Sequence, residues 1–386
     1  MTSTVAERAE QREALTAMVR QFTADRITPL VENLDETERF PAEIYQEMGK
    51  LGLLGITVPE ADGGVGGLVA DYVAVMEELS FGYASVADQC GLVELVTSLL
   101  VSHGTQEQKD RLLERLMAGT LRCSYALTEP GAGSDLGGVK TNARRDGDDW
   151  ILNGEKVFIH NAPVADVAVV LAVTDPTKRK RGGMSMFLVD VDTPGVERAY
   201  KEKKMGQKAS PVGGFIFTDA RLPATAVLGE EGAGFSAVLS VLEKGRLGIG
   251  ALANGITRAA IETARQHALE RHQFNQPLAS FQAVAFSLAD MATEHRAARL
   301  LLDAGADLLD TGRDAGAACS MAKLFASETA VRTTNRAVQI LGGSGYIRGV
   351  PAERLYRDAR ITTIYEGTSE VQRLIISRAL LGRKTS

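Results

Sequence analysis

The middle of the chain contains the segment WILNGEKVFI at residues 150–159. Two short apolar runs within it flank the pair Asn153 and Gly154. Asn followed by Gly readily takes the positive φ angles of a two-residue hairpin turn. The segment therefore predicts two antiparallel strands joined at Asn153 and Gly154, and the pair Asp146 and Gly147 just before it predicts a second turn.

The neighbouring segments have the same character from about residue 121 to residue 221. Residues 167–173 and 184–191 are short apolar runs and predict buried strands, while the basic residues 178–181 predict a solvated loop tip. No segment long enough for a helix separates these strands. Parallel βαβ winding is therefore disfavoured, and an antiparallel barrel or sandwich is expected.

Apolar residues recur at helical spacing on both sides of this region. Before it, Leu15, Val19 and Phe22 have this spacing, and the glycines of residues 59–67 predict a loop between helices. After it, Ser280 is a candidate helix cap. The long helices predicted there span residues 252–271, 280–309, 315–341 and 369–381.

This order of elements predicts an α+β protein of three domains. We expect an N-terminal helical domain at residues 1–120, a central antiparallel β domain at residues 121–232 and a C-terminal four-helix bundle at residues 233–386. A length of 386 residues agrees with two or three domains.

Composition excludes several classes of protein. A hydrophobic fraction of 45% and a charged fraction of 24% are globular values, which excludes disordered and collagen-like chains. With 43 basic and 49 acidic residues the formal net charge is -6, so the broad basic surface of a general nucleic-acid binder is not expected.

The cysteines and the apolar runs bear on compartment and membrane. Cys90, Cys123 and Cys319 are too far apart for a CxxC pair or a zinc quartet, so we expect no metal site and a reducing cytoplasm. The N-terminus lacks the apolar core of a secretory signal, and runs such as residues 167–173 are too short to span a bilayer. No membrane association is therefore expected.

Two glycine-rich segments are candidate ligand sites. Residues 128–135, TEPGAGSD, contain glycines that free backbone amides to converge on an anion. The helix of a dinucleotide-binding fold and the Lys of a P-loop are both missing, so the turn alone favours a plain tight turn. Residues 342–345 taken alone are typical of a helix stop.

Two further segments carry charged or amide groups beside an aromatic ring. Arg271, Gln273 and Phe274 together suit a phosphate beside a planar ring, and the alternative is an ordinary capped helix end. Tyr365 and Glu366 precede the last predicted helix. In a desolvated cleft the pKa of Glu366 would rise and suit the carboxylate to removing a proton from carbon, but an isolated Glu at such a place is more often a helix cap.

Five blocks of the sequence, in their order and spacing, resemble the acyl-CoA dehydrogenase flavoprotein family. The resemblance covers nearly the whole chain. It implies FAD as cofactor, a helical, β, helical domain order, a homotetramer of paired dimers, and a role in fatty acid or amino acid catabolism. The blocks are residues 125–135, 153–161, 271–277, 339–345 and 365–372.

The resemblance also implies positions around FAD. Tyr125, Leu127 and Thr128 would lie beside the isoalloxazine ring, and Gly133 and Ser134 would lie near the pyrophosphate and the CoA chain. The remaining cofactor positions are Phe158, which would cover the flavin, Arg271, Gln273, Phe274, Gln339 and Gly343, which would reach the FAD of a neighbouring subunit, and Thr368 and Glu370.

For the reaction, the resemblance implies that Glu366 is the base that removes the α proton of an acyl thioester. Some family members carry the base on an earlier helix, just before an Arg, but here Gly245 stands at that position. The implied substrate-binding positions are Ser134, Glu243, Arg246, Tyr365 and Gly367.

His160 departs from the family pattern, which usually has Thr or Ser two residues after the covering aromatic and close to flavin N5. We hypothesise that His160 alters flavin reactivity, since an imidazole titrates near neutral pH. The alternative is that the side chain turns away from the ring.

Substrate class depends on the helix expected at residues 85–101, which carries Asp88, Gln89 and Glu94, with Gly91 near the cavity end. A carboxylate facing the acyl cavity favours a polar or cationic short acyl group, because burying an unpaired charge is costly. The favoured alternative is that these groups face solvent or pair with Arg residues, which leaves a short or branched chain as the default.

Three other functions remain open to different degrees. A desaturase of carrier-protein-bound acyl thioesters is suggested by residues 161–166, and a flavin monooxygenase or oxidase uses the same fold. A DNA-binding flavoprotein is disfavoured, because the chain lacks an extended basic C-terminal region. For the dehydrogenase, electron-transfer flavoprotein is the expected acceptor.

Overall fold

A computed structural model describes residues 5–382 of the chain. The first part is helical, as predicted. Proline or glycine stands near several of the helix ends, which agrees with the limited helix propensity of both residues. The N-terminal helices are α1 (Val5–Phe22), α2 (Val31–Thr37), α3 (Ala42–Lys50), α4 (Val69–Gly82), α5 (Ala84–His103) and α6 (Gln106–Met117).

The central domain is one eight-stranded sheet with the order β6-β7-β3-β2-β4-β5-β8, in which β1 pairs with β4. The strands are β1 (Cys123–Ala126), β2 (Asn142–Asp146), β3 (Asp149–His160), β4 (Val167–Val173), β5 (Met184–Asp190), β6 (Val196–Lys201), β7 (Val212–Leu222) and β8 (Val227–Leu228).

Most strand pairs are antiparallel, as predicted, but two are parallel. β1 pairs with β4 in parallel over four residues, and β2 meets β4 in parallel at one position. Parallel neighbours need a long connection. Here the connection between β1 and β4 contains the β2–β3 hairpin and a single 3-10 turn but no α-helix. The absence of helix-length segments therefore did not exclude parallel pairing.

The prediction of a hairpin turn at Asn153 and Gly154 is wrong. β3 runs straight through both residues, and its register against β7 shifts there by a β-bulge, with Gly154 at a φ of 142°. β7 pairs with β3 on both sides of the bulge, which keeps the strand extended. The predicted turn at Gly147 is correct, because Asp146 pairs with Asp149 across a two-residue loop.

The C-terminal domain is helical and includes a small two-stranded hairpin. Two bounds differ from the prediction: α7 begins well before residue 252, and α8 is preceded by Phe281 as its cap residue instead of Ser280. The elements are α7 (Gly234–Glu270), β9 (His272–Gln273), β10 (Gln276–Pro277), α8 (Gln282–Asp310), α9 (Gly316–Leu341), α10 (Pro351–Ala359) and α11 (Ser369–Leu380).

α5 is the buried helix of the N-terminal domain. By length and composition it is apolar enough to cross a membrane, which the sequence reading overlooked, but nearly all of it is buried inside the protein. One apolar core extends across α4, α5, α7 and α9 and one side of the sheet. Cys90, Cys123 and Cys319 are buried in it as free thiols.

Candidate active site

Glu366 lies in the short connection between the 3-10 turn Arg360–Thr363 and α11. Its φ is 53°, a left-handed conformation that is uncommon for a residue with a side chain and often found at functional sites. Its Oε2 atom is buried and has no hydrogen-bond partner among residues 5–382. A side chain at Gly245 would come within 2.8 Å of that oxygen, so the glycine provides the room for it.

The surroundings of Glu366 set its charge. Burial raises the pKa of its carboxyl, and nearby Asp88 adds to the rise, while Arg246 and Lys323 oppose it. Arg246 is buried with its Nε unpaired in the described part of the chain. A raised pKa makes the carboxylate a stronger proton acceptor, which is the property that a general base requires.

Two side chains that sequence reasoning missed hold the Glu366 backbone. Lys323 Nζ donates to the Gly367 carbonyl at 2.8 Å, and Gln372 Nε2 donates to the carbonyls of Glu366 and Gly367 at 3.2 and 2.9 Å. Burial lowers the pKa of Lys323 to about 8. Thr368 caps α11 by accepting from the Val371 amide. The sequence around Lys323 contains no local signal that marks this lysine as buried.

The turn at residues 128–135 is fixed by a second buried pair that the sequence did not reveal. The Glu129 carboxylate accepts from the amides of Lys140 and Thr141 and from Lys156 Nζ at 2.9 Å. Lys156 Nζ also donates to the Leu127 carbonyl at 2.9 Å. Burial lowers the pKa of Lys156 to about 8. This pair ties β3 to the turn, in which Ala132 is buried while Gly131, Gly133 and Ser134 are exposed.

Phe158 is turned outward by an irregularity of β3. The register against β7 shifts again between Lys156 and Ile159, and Phe158 has a φ of 56°. Its side chain is 67% exposed. β-bulges and left-handed residues often lie next to ligand sites. The exposed ring of Phe158 beside the turn at residues 128–135 is therefore a candidate ligand contact.

Five other predicted cofactor positions, on the segments 271–274 and 339–343, are all exposed. Phe274 is 87% exposed and, like Asn275, has a positive φ. No hydrogen bond or ion pair in the described range joins this group to Glu366 or to the turn at residues 128–135. Its members are Arg271, Gln273, Phe274, Gln339 and Gly343, all on the surface.

Of the remaining predicted positions, Glu243 is half-buried on α7, and burial raises the pKa of its carboxyl. Tyr365 is next to Glu366, and its hydroxyl accepts a 3.4 Å hydrogen bond from Gln207 Nε2. Ser134 and Glu370 are exposed. The structure thus places Tyr365 and Gly367 beside the carboxylate, and Ser134 and Glu370 at the surface.

His160 is part of a buried polar cluster. Its Nε2 lies 2.6 Å from Ser210 Oγ, 2.9 Å from Gln89 Nε2 and 3.4 Å from Asp88 Oδ2. Gln89 and Asn161 exchange a pair of amide hydrogen bonds at 2.7 and 3.1 Å. Burial lowers the pKa of the His160 imidazole, which is therefore neutral at pH 7.

The expectation that Asp88, Gln89 and Glu94 face solvent or pair with Arg residues is wrong. All three are buried, because α5 is surrounded by other elements. The Glu94 carboxylate pairs with Lys244 at 3.2 Å and accepts from the Thr57 hydroxyl. The carboxylates on α5 thus belong to the interior, and their partners are Lys, His and hydroxyl groups.

Most of the chain matches the three domains of one protein family. Residues 9–120, 124–220 and 232–381 match the N-terminal, middle and C-terminal domains of acyl-CoA dehydrogenase. The chain belongs to the acyl-CoA dehydrogenase family. It is an oxidoreductase that acts on CH-CH groups, and its fold is the helical, β, helical arrangement predicted above.

The sequences of related proteins support this membership. The chain is 42% identical to an acyl-CoA dehydrogenase of Bacillus subtilis, over 97% of this chain and 98% of the relative. It is 43% identical to the mitochondrial short-chain specific acyl-CoA dehydrogenase of Bos taurus, over 97% and 91%. It is 42% identical to the CarC subunit of the caffeyl-CoA reductase-Etf complex of Acetobacterium woodii, over 97% and 99%.

Solved structures agree as well. Butyryl-CoA dehydrogenase from Megasphaera elsdenii superposes with a TM-score of 0.94 at 37% identity, covering 99% of this chain and 100% of that one. A glutaryl-CoA dehydrogenase from Mycobacterium smegmatis in complex with FADH2 superposes with a TM-score of 0.92 at 34% identity, over 97% and 95%. Acyl-CoA dehydrogenases use FAD.

The residues present fit such a cofactor. Gly131 and Gly133 have open space where a side chain would lie. The Tyr125 hydroxyl is buried without a hydrogen-bond partner in the described range. The exposed ring of Phe158 is two residues after Lys156, which holds the turn through Glu129. Free backbone amides, an unpaired hydroxyl and an aromatic face are the groups that a phosphate-linked ring system requires.

Proposed function

We propose that this acyl-CoA dehydrogenase converts a short acyl thioester into the 2,3-enoyl thioester, with Glu366 as the base. The observation that carries the proposal is the buried, unpaired Oε2 of Glu366 in a left-handed backbone conformation. Glu366 Oε2 takes the proton from the α carbon. Lys323 and Gln372 hold the backbone on either side of the carboxylate, so that the oxygen is aimed into the site.

The α proton becomes acidic only when the thioester oxygen is stabilised. The Glu366 backbone amide has no acceptor within the described residues, so it is free to donate to that oxygen. When bound, FAD supplies the acceptor for the hydride that leaves the β carbon. We assign eight residues of this chain to FAD binding: Tyr125, Leu127, Thr128, Gly133, Ser134, Phe158, Thr368 and Glu370.

We assign the exposed group at Arg271, Gln273, Phe274, Gln339 and Gly343 to the FAD of a second copy of the chain. The exposure of these residues supports the assignment. Phe274 is 87% exposed in the single chain, and a large exposed apolar side chain often marks a contact with another protein. The active site then requires a homodimer, and we propose the homotetramer of paired dimers as the full assembly.

For the substrate we assign Ser134, Glu243, Arg246, Tyr365 and Gly367 to the thioester and the CoA chain. The short-chain specific relative supports a short acyl group. The relative that is a subunit of a complex with Etf supports an electron-transfer flavoprotein as the acceptor. The buried free thiols support a reducing compartment, and we place the enzyme in the cytoplasm, in fatty acid or amino acid catabolism.

The test is the visible spectrum of the purified holoenzyme under anaerobic conditions, titrated with straight, branched and polar short acyl-CoA thioesters. Bleaching of the flavin by a CoA thioester is the expected result. Bleaching only by carrier-protein thioesters would transfer the assignment to the carrier-linked alternative. Rapid peroxide release in air would favour an oxidase.

A further inference from the structure

His160 is the last residue of β3 and lies beside the proposed FAD site. Its carbonyl oxygen accepts a 2.8 Å hydrogen bond from Ser124 Oγ on β1. The next residue of β1 is Tyr125, whose buried hydroxyl has no hydrogen-bond partner among residues 5–382. Phe158, with its exposed ring, is two residues before His160. The backbone of His160 is therefore fixed next to residues that we assign to FAD.

The two nitrogen atoms of the His160 imidazole have different surroundings. Nε2 is enclosed by polar groups, with Ser210 Oγ at 2.6 Å, the Gln89 carboxamide at 2.9 Å and the Asp88 carboxylate at 3.4 Å. Nδ1 has no hydrogen-bond partner within the described part of the chain, yet it is not a buried atom. The side chain is 19% exposed. The accessible edge of the ring is therefore the one that carries Nδ1.

Ser210 determines which nitrogen carries the imidazole proton. Its hydroxyl has a single hydrogen, which it donates to the Asp88 carboxylate at 2.7 Å. Ser210 Oγ must then accept from Nε2 of His160. Burial lowers the pKa of the imidazole and outweighs the opposing effect of Asp88, so the ring is neutral at pH 7 and carries one proton. With that proton on Nε2, Nδ1 is an unprotonated acceptor.

The neighbouring amides are compatible with this proton position. Gln89 and Asn161 exchange a pair of hydrogen bonds at 2.7 and 3.1 Å, and turning both carboxamides over preserves the pair. One of the two orientations places the carbonyl oxygen of Gln89 against Nε2 of His160. Each hydrogen between His160 and Asp88 then has an acceptor, and the lone pair of Nδ1 is left for a ligand.

The redox chemistry of a flavin gives this acceptor a preference between two states. Two electrons and a proton convert a bare ring nitrogen of oxidised FAD into an N–H donor. An unprotonated Nδ1 can accept from that N–H, whereas it repels the lone pair of the same nitrogen in the oxidised ring. Reduced FAD therefore gains a hydrogen bond that oxidised FAD cannot make.

We propose that Nδ1 of His160 accepts a hydrogen bond from the ring N–H of reduced FAD and thereby raises the reduction potential of the flavin. This inference rests on the proposed FAD site and goes beyond the proposed reaction, which gives His160 no role. Ser210 and Asp88 are positioning residues, because they act only by holding the imidazole proton on Nε2. A higher potential favours transfer of the β hydride to the flavin.

The test compares the reduction potential of the unmodified holoenzyme with that of His160→Phe, which keeps a ring but has no acceptor. Slow anaerobic reduction in the presence of a reference dye at pH 7 measures both potentials. Loss of one hydrogen bond to reduced FAD predicts a shift of about tenfold towards the oxidised form, which lowers a two-electron potential by about 30 mV. An unchanged or higher potential in His160→Phe would overturn the proposal.

The affinity for each redox form separates a lost hydrogen bond from a damaged site. Because binding and reduction are linked, His160→Phe must bind reduced FAD about tenfold more weakly, while its affinity for oxidised FAD must not fall. Anaerobic equilibrium dialysis of the holoenzyme measures both affinities. Equal weakening of the two forms contradicts the proposal.

Two further variants test the acceptor itself. His160→Gln supplies a carbonyl oxygen at the same place and should recover most of the potential that His160→Phe loses. His103→Phe is the matched control, because this imidazole also lies beside a serine, 3.4 Å from Ser240 Oγ, but at the other end of α5 from Asp88. It should leave the potential unchanged. A potential in His160→Gln as low as in His160→Phe, or an equal loss in His103→Phe, contradicts the role of Nδ1.

Bleaching of flavin by butyryl-CoA in the unmodified enzyme reports on the proposed function separately. If bleaching fails and the potential depends on His160 as expected, the reaction assignment is wrong and the role of His160 stands. If bleaching occurs and the potential does not depend on His160, the enzyme is a dehydrogenase and the inference about His160 is wrong.

Discussion

Lys323 Nζ lies 2.8 Å from the carbonyl oxygen of Gly367, directly after Glu366 in the chain. The lysine is fully buried on α9, and its charge lowers the pKa of the Glu366 carboxyl against the effect of burial. One side chain thus fixes the backbone that carries the carboxylate and adjusts the proton affinity of that carboxylate.

Replacing Lys323 by Met is expected to slow flavin reduction by acyl-CoA about tenfold or more, because both effects disappear at once. Loss of the positive charge also raises the pKa of Glu366, so the acid limb of the pH profile of flavin reduction moves to higher pH. Stopped-flow measurement of flavin reduction across a range of pH gives both the rate and the pH of the acid limb. Lys323→Arg keeps the charge and should keep the acid limb near its original pH. An unshifted limb in Lys323→Met would leave the lysine a purely structural role.

Glu366→Gln tests the base directly. The variant keeps the shape of the side chain but cannot accept a proton, so flavin reduction should fall by about a thousandfold while FAD remains bound. Anaerobic stopped-flow measures the rate of flavin reduction, and the flavin-to-protein absorbance ratio measures the FAD content. Glu262→Gln, an exposed carboxylate on α7, is the matched control and should behave as the unmodified enzyme. Normal reduction in Glu366→Gln would refute the assignment.

The buried pair of Lys156 and Glu129 predicts how the turn at residues 128–135, which we propose to bind FAD, responds to mutation. Lys156→Met leaves Glu129 buried with amide donors only, so the turn at residues 128–135 should loosen and FAD should be lost about tenfold more readily. Flavin release on dilution, followed by fluorescence, measures this. Lys178→Met removes an exposed lysine of the loop tip and should retain FAD. Equal retention in both variants would show that the pair does not order the turn.

The sequence predicted the order of the helical and β domains because the spacing of apolar residues and the positions of turn residues are local signals. It failed at Asn153, whose amide oxygen instead accepts from the Asp219 backbone on β7, since pairing with a distant strand overrides turn propensity. It also began α7 too late. The glycines of that helix, such as Gly248, look unfavourable for a helix until Tyr72 is seen packed against them.

For the candidate site, the sequence singled out Glu366 and the glycine turn, because each lies in a block that resembles known relatives, and their roles stay predictions. Lys323 and Lys156 were missed since nothing local distinguishes a buried lysine from an exposed one. The β-bulge that turns Phe158 outward depends on register against β7, which only the assembled sheet defines.

The buried carboxylate of Glu77 gives a pH dependence of stability. It lies 3.1 Å from Arg299, accepts from Asn254 at 3.0 Å and is 3.5 Å from His295, so that α4 is tied to α7 and α8. Although burial opposes ionisation, these partners together lower the pKa of Glu77 from 4.5 to about 2.

In the unfolded chain Glu77 takes up a proton near its ordinary pKa of 4.5, whereas the folded protein resists protonation down to about pH 2. The stabilisation is therefore complete above pH 4.5 and is lost as the pH falls from 4.5 towards 2, and its size is about 3 kcal/mol. Glu77→Gln should lower the free energy of unfolding by about that amount at pH 7, and the difference from the unmodified protein should shrink on acidification. Urea unfolding at pH 7, 4 and 3 measures it, with Glu114→Gln at an exposed position of α6 as the control. A difference that stays constant across these pH values would mean that Glu77 contributes packing and not charge.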